Sequence, residues 1–208
     1  MPNTLIQLFP QPIMVAEKDY NLNKEEKKFI ENLKTNEGND KNLISSNTYV
    51  LNEKKLKKLK NLKNYIENNI NFYVHTILNI PKTVNFYITQ SWVNFYKKEA
   101  SHHLHTHPNS VVSGVYYIEN DNCPIIFHRD SVNCKFLGGY DYNIKNYDTI
   151  NSEIYYINVP KNKLILFPSN LTHSVQVNKS NITRISLSFN TFFKGELGEE
   201  INLTKLKI

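Results

Sequence analysis

From Pro81 onward the chain breaks into short β-favouring runs separated by Gly, Pro, Asn and Asp, and this pattern restricts the fold more than any other feature. Val84 to Tyr96 is rich in β-branched and aromatic residues. It alternates through Trp92-Val93-Asn94-Phe95-Tyr96, the period-two signature of a strand with two unlike faces. Further strands are predicted at Val111–Ile118, Pro124–His128, Ile154–Val159, Leu164–Phe167, Ser174–Val177 and Thr183–Phe192. Short strands at this spacing close into a sandwich or a barrel. Ser131–Ser152, with Gly138, Gly139 and several Asn and Tyr, is too long for a simple turn. It is expected to be a functional loop or an insertion.

Helix signals are confined to the first third. Asn23-Lys24-Glu25-Glu26 reads as a capping box, with Phe29, Ile30 and Leu33 forming an apolar face behind it. A second helix is predicted from about Glu53, carried by Leu56, Leu59, Ile66, Ile70 and Ile77 at helical spacing. It ends before Pro81, which disfavours the helical conformation at Ile80. Without an internal repeat or a linker, the 208 residues read as one domain. Residues 1–80 form a helical N-terminal support region and 81–193 the β core. The fold class is mainly β with N-terminal helices (α+β).

Composition excludes several other classes. Hydrophobic residues make up 40%, with 13 Tyr and 11 Phe, which is the composition of a packed domain and not of a disordered tail. No apolar run approaches the ~20 residues of a membrane span. The opening Met1-Pro2-Asn3-Thr4-Leu5-Ile6 lacks the basic and apolar regions of a signal peptide, so the expected location is the host cytoplasm. Cys123 and Cys134 are expected to be free thiols, since a chain of this size needs no staple. Much of the formal +6 charge lies in Lys54-Lys55-Leu56-Lys57-Lys58-Leu59-Lys60. The run reads as the solvated face of an amphipathic helix rather than as a nucleic-acid patch.

Chemistry concentrates in two short motifs, His105-Thr106-His107-Pro108 and Pro168-Ser169-Asn170-Leu171-Thr172-His173, followed by Arg184-Ile185-Ser186. Residues i and i+2 of a strand share a face, so His105 and His107 can aim two imidazoles at one point, with His173 as the candidate third ligand. Imidazole suits Fe, Zn, Cu and Ni alike. His75 and His128 read as surface or satisfied core residues. His103 has the strand parity of His105 and His107 and stays open as a substitute ligand or a supporting residue. An Arg inside a cavity is costly unless it meets an anion. The planar fork of Arg184 suits a carboxylate, and Ser186 on the same face adds a hydroxyl.

With these residues in order, the chain resembles the double-stranded β-helix Fe(II)/2-oxoglutarate-dependent oxygenases. The motifs that carry the resemblance are Ser91-Trp92-Val93-Asn94, His105-Thr106-His107-Pro108, Ser113-Gly114-Val115-Tyr116-Tyr117, the turn from Pro160 to Ser169, His173 and Arg184-Ile185-Ser186, with Leu8-Phe9-Pro10-Gln11-Pro12-Ile13 at the start. The distal strand His173-Ser174-Val175-Gln176 is similar to that of prolyl 4-hydroxylases. The resemblance implies a jelly-roll, cupin-like core. It implies Fe(II) held by His105, His107 and His173, with 2-oxoglutarate and O2 as co-substrates and ascorbate as an allowed auxiliary reductant. The far carboxylate of 2-oxoglutarate would lie on Arg184, Ser186 and Tyr117, with Tyr96 and Asn94 also in the pocket. The implied reaction is hydroxylation of an unactivated C–H, of a prolyl or other polypeptide side chain or a small molecule, with release of succinate and CO2. Ser131–Ser152 is the candidate substrate lid. A nucleic-acid partner and a membrane are not expected, and a homodimer stays open.

One departure stands out. The superfamily motif is usually His-x-Asp/Glu, a face of two His and one carboxylate, whereas this chain has His107 in the carboxylate position. A three-His site is the first reading, a substitute carboxylate such as Asp130 the second and a metal other than iron the third. Two other classes remain in play. One is a cupin-like three-His metalloenzyme without 2-oxoglutarate, which leaves Arg184 without a role. The other is a non-catalytic β-sandwich that binds a ligand or partner.

Overall fold

Alternation along the strands decides which layer each side chain enters, and the tertiary structure follows that alternation. The computed structural model describes residues 3–7, 9–52, 57–129 and 143–208. In chain order the strands are β1 (Met14–Val15), β2 (Thr35–Glu37), β3 (Leu43–Ser45), β4 (Val84–Tyr96), β5 (His102–His105), β6 (Val112–Glu119), β7 (Ile125–His128), β8 (Ile154–Ile157), β9 (Leu164–Pro168), β10 (His173–Val175), β11 (Arg184–Leu197) and β12 (Leu206–Lys207). Helix α1 is Lys24–Glu31; α2 is Lys60–Phe72, entered by a 3-10 turn at Lys57–Leu59 and extended by a π-turn at Tyr73–Ile77. The larger sheet has the order β1-β9-β6-β11-β4-β3-β2, with β12 on the far end of β11. The smaller has the order β5-β10-β7-β8. All pairs between these strands are antiparallel. The result is the expected jelly-roll core of two facing sheets.

The two faces of the larger sheet meet different neighbours. Leu164, Leu166, Tyr116, Leu187, Phe189 and Val93 turn outward into a cluster with Leu62, Ile66 and Ile70 of α2 and Ile30 of α1. Ile165, Phe167 and Tyr117, one residue out of phase, turn inward and pack on Ile125 and Phe127 of the smaller sheet. Strand β9 is thus buried on both sides and reads as a continuous apolar run. On β4 and β11 the inward set is polar instead: Asn94, Arg184, Ser186 and Ser188 are buried in spite of their chemistry. A polar inner face between two sheets marks the space where a ligand would sit. Gly114 of the Ser-Gly-Val-Tyr-Tyr run lies at a close approach, where a Cβ would overlap the Phe189 ring and Leu166. At about 0.8 kcal/mol per buried methylene the apolar layers hold the fold, and any larger residue at Gly114 would push them apart.

Helix α1 starts where its capping box predicts. The Asn23 side chain accepts from Glu26 N at 2.9 Å, and Glu26 Oε2 accepts from Asn23 N at 3.0 Å. Helix α2 buries Leu62, Ile66 and Ile70. Ile77, expected on that apolar stripe, is 42% exposed, because the π-turn adds a residue and rotates it off the face. Leu56 lies outside the described residues. The bland reading of the Lys run agrees with Lys58, whose ammonium sits 5.8 Å over the Phe29 ring at the helix surface.

The first third also holds three strands that the sequence reading missed. β1, β2 and β3 are two or three residues long, too short to show a period, and are recruited by the edges of the larger sheet. Among the predicted strands, the one at Thr183–Phe192 runs on to Leu197, because Phe193 to Gly195 continue the pairing with Phe86 to Val84. The strands expected at Ile154–Val159 and Ser174–Val177 are shorter, at Ile154–Ile157 and His173–Val175. No described helix is long and apolar enough to cross a membrane.

Candidate metal and co-substrate site

His105 and His173 face each other as a cross-strand pair, the last residue of β5 against the first of β10. Antiparallel partners bring side chains within about 5 Å, and the two rings stand 4.3 Å apart between centroids. His107 is not on the strand, as the i,i+2 argument supposed; β5 ends at His105. Its position is set instead by its backbone N–H, which donates to Ser169 O at 2.9 Å, and by the Trp92 ring 6.0 Å away. The three ligand-capable nitrogens still converge, all within 4.8 Å of one another.

The tautomers suit a cation. His105 Nδ1 donates to the His103 carbonyl and His173 Nδ1 to the Leu171 carbonyl, each at 2.8 Å. Both leave Nε2 as a free lone pair, as in most metal-binding histidines. His107 Nε2 and His173 Nε2 are 3.2 Å apart. Two nitrogens bound to one metal at about 2.1 Å and near a right angle stand about 3 Å apart. The donor set therefore fits a divalent transition metal.

The remaining histidines sort differently. His103 stays out of the cavity, with Nδ1 3.4 Å from Asp40, and supplies only its carbonyl to His105. His75 is satisfied by the Ile80 carbonyl at 2.8 Å and His128 by Ser174 at 3.0 Å. His102, given no role in the sequence reading, lines the cavity, and its Nδ1 is buried without a hydrogen-bond partner. Asp130, the alternative carboxylate, lies outside the described residues, as do Cys134 and the 131–142 part of the expected lid. Cys123 is a buried free thiol.

The site is a cavity of about 240 Å³, and the triad and Arg184 both line it. That volume lies below the roughly 300–1,000 Å³ typical of drug-sized ligands and suits a small molecule. Arg184 is 2% exposed. Its Nη2 donates to the Tyr117 hydroxyl at 3.2 Å and its Nη1 to Cys123 Sγ at 3.8 Å. The Tyr96 and Tyr117 rings sandwich the guanidinium at 5.1 and 5.0 Å. Nε has no partner, and no carboxylate of the described residues pairs with the charge. A guanidinium cannot shed its proton, so a buried one without an acid calls for an anionic ligand.

Ser186 and Asn94 line the same cavity, and the Asn94 amide donates to Ser188 Oγ at 3.1 Å. Burial pushes the Tyr96 hydroxyl up to about 12 and the Tyr117 hydroxyl up as well, so both remain neutral donors. Trp92, Ser188 and Cys123 also escaped the sequence reading. Ser188 had a usable signal, its even-number parity with Arg184 and Ser186. A larger depression of about 370 Å³, lined by Tyr73, Leu78, Val112 and Pro168, gathers no charged group and has no comparable chemistry.

Without metal the triad is neutral in the fold. Burial first, then the neighbouring His105, lowers His107 to about 4 and His173 to about 3; burial also lowers His105. In an unfolded chain each ring protonates near 6.5. A folded value below the unfolded one means that stability is complete above about pH 6.5 and is lost as the pH falls toward the folded value. Metal-free protein should therefore lose about 2–4 kcal/mol in urea melts between pH 7 and 5.5. A flat profile would show that the rings are not held neutral. A bound divalent ion should steepen the dependence, because it selects neutral imidazoles.

A jelly roll whose inner face joins a convergent imidazole triad to a buried arginine with no acid beside it among the described residues has the parts that a metal and an anionic co-substrate require. Residues 90–190 match the family described as "Putative 2OG-Fe(II) oxygenase", a span that runs from β4 to β11 and holds the imidazole triad and Arg184. The match spans just under half of the chain, which is to that extent similar to the 2OG-Fe(II) oxygenases. No curated protein is significantly similar in sequence.

Solved structures share the fold. HygX from Streptomyces hygroscopicus, with nickel and 2-oxoglutarate bound, is 11% identical with a TM-score of 0.60 over 87% of this chain and 82% of its own. A prolyl hydroxylase from Trichoplax adhaerens, in complex with a hypoxia inducible factor peptide fragment, is 12% identical with a TM-score of 0.56 over 86% and 83%. A prolyl-4-hydroxylase from Pseudomonas putida is 12% identical with a TM-score of 0.52 over 88% and 92%.

Proposed function

We propose that this protein is a hydroxylase that uses Fe(II), 2-oxoglutarate and O2 to oxidise an unactivated C–H bond of a polypeptide side chain, releasing succinate and CO2. The observation that carries the reading is that the imidazole triad and the unpaired guanidinium line one cavity. His105, His107 and His173 hold the metal. Arg184 takes the far carboxylate of 2-oxoglutarate through its free Nε–H, and the Tyr117 hydroxyl, which already accepts from Arg184, turns its own proton to the same group. Ser186 adds a hydroxyl from the floor, and Tyr96 walls the charge from water. Bound Fe(II) supplies the oxygen chemistry that couples decarboxylation of 2-oxoglutarate to oxidation of the substrate. The chain contributes orientation, charge and exclusion of water.

A polypeptide substrate is favoured by the similarity of the His173 to Arg184 region to prolyl hydroxylases and by the peptide bound to the Trichoplax adhaerens neighbour. Anaerobic titration with Fe(II) and 2-oxoglutarate, then a succinate assay against a peptide panel including proline-rich sequences, tests the proposal. Stoichiometric binding of both and peptide-stimulated succinate are expected. Metal binding with no uptake of 2-oxoglutarate would instead support a three-His metalloenzyme of another class, the reading that the all-imidazole donor set favours.

A further inference from the structure

Strand β5 breaks the alternation of a flat strand, and the break brings a fourth histidine to the cavity. His105 pairs with His173 and His102 with Val175, so three residue steps on β5 oppose two on β10. The extra residue is a β-bulge, which bends a strand and re-aims its side chains, and bulges gather beside active sites. In a regular strand His102 and His105 would point to opposite faces. Here both line the cavity, while His103 and Leu104 between them are exposed.

His102 lies toward the arginine end of that cavity. Trp92 on β4 marks the metal end, with its ring 6.0 Å from that of His107. Tyr96, four residues on, pairs with Arg184 and covers the guanidinium at 5.1 Å. At about 3.3 Å per residue the two ends stand roughly 13 Å apart along the strand. The His102 ring meets the Tyr96 ring edge to face at 6.4 Å and stands 4.3 Å from the His105 ring. It therefore covers the step between triad and arginine from the smaller sheet. Ile125, Val175 and His102 form one row across that sheet, all three line the cavity, and His102 is the polar member of the row.

The ring has hydrogen-bonding capacity to spare. Its Nδ1 is sealed off without a partner, and no described residue hydrogen-bonds its Nε2. A sealed nitrogen with no acceptor is a poor place for the proton, because a buried N–H left unmatched forfeits its hydrogen bond. The proton stands on Nε2 instead, and the imidazole is a donor toward the cavity.

We propose that His102 is a second anchor for the far carboxylate of 2-oxoglutarate: its Nε2–H donates to that group from the smaller sheet, opposite Arg184 and Tyr117 on the larger. A carboxylate offers about four lone-pair sites, so the guanidinium and the phenol leave room for a third donor. The bound dicarboxylate is then gripped by both layers of the jelly roll.

This inference rests on the reading of the cavity as a 2-oxoglutarate site, and calorimetric titration of the Ni(II)-loaded protein separates the two. The probes are 2-oxoglutarate and 2-oxovalerate, in which a methyl group replaces the far carboxylate. His102→Phe keeps a ring and loses the donor. It should weaken 2-oxoglutarate binding about 10- to 100-fold, the usual effect of losing a hydrogen bond to a charged group, and leave 2-oxovalerate and Ni(II) binding within twofold of wild type. His102→Gln, whose amide N–H can take the place of Nε2–H, should recover most of the loss. A His102→Phe protein that binds 2-oxoglutarate within twofold of wild type, while Arg184→Met does not bind it, would overturn the role of His102 and leave the 2-oxoglutarate site intact. So would an equal weakening of both oxo acids, or a loss of Ni(II), since the ring would then serve the metal end. His102→Gln binding no better than His102→Phe would overturn it as well. A wild-type protein that takes up no 2-oxoglutarate would overturn the site and the inference together. Thermal melts of the metal-free variants identify misfolding, and should His102→Phe not fold, the smaller His102→Leu is held to the same outcomes.

Discussion

Arg184→Met should abolish use of 2-oxoglutarate and leave the metal-free fold as stable as before, or more so. The two effects have opposite signs because one charge serves two accounts of the same cavity. Removing one partner of a buried ion pair costs about 3–5 kcal/mol, so the dissociation constant for 2-oxoglutarate should rise by roughly 100- to 4,000-fold. In the ligand-free protein, however, Arg184 is 2% exposed, its Nε is orphaned and no described carboxylate faces it. Methionine fills a comparable volume between the Tyr96 and Tyr117 rings without a charge to desolvate, and such replacements are neutral or stabilising by about 1–4 kcal/mol. Thermal melts of metal-free protein and 2-oxoglutarate titration of the metal-loaded protein check the two halves. Unchanged 2-oxoglutarate binding would remove Arg184 as the anchor. A large fall in the melting temperature would show that the Tyr117 hydroxyl and the two rings already compensate the guanidinium. Arg184→Lys should fall between, since it keeps the charge and loses the fork.

What the sequence disclosed of this site follows from what is local. The period-two run ending at Tyr96 matches β4 at both ends because thirteen residues carry enough alternation to read. The Asn23 cap is equally local, a donor and an acceptor three residues apart. His105 and His107 were legible as a pair, though for an incomplete reason: they converge because Ser169 holds the chain beyond β5, and not because both stand on one strand. The contact of His105 with His173 depends on the β5–β10 register, which sixty-odd intervening residues settle and no short window contains. His102 reached the cavity and Cys123 the guanidinium of Arg184 for the same reason, through pairing and packing across sheets. Asp130, the alternative carboxylate ligand, and the 131–142 part of the expected lid lie outside the described residues.

His107→Asp, which installs the carboxylate found in the usual superfamily motif, should weaken 2-oxoglutarate binding tenfold or more while the site still takes up metal. With three neutral imidazoles a divalent ion presents its full charge of two to a dianion; one carboxylate ligand halves that. Two unit charges 4 Å apart interact by about 4 kcal/mol at an effective dielectric constant of 20, and half of that already exceeds a factor of ten. Metal preference should shift as well, from the imidazole-favouring Ni(II) and Cu(II) toward Mn(II), which suits oxygen donors. The aspartate is shorter than the imidazole and reaches less far toward the metal, so total metal affinity should not exceed that of wild type in spite of the added charge. Competition between Mn(II) and Ni(II) at equal concentration, followed by 2-oxoglutarate titration of each loaded form, measures both effects. Tighter 2-oxoglutarate binding in His107→Asp would mean that the charge at position 107 does not reach the co-substrate, and that the neutral third ligand serves the metal alone.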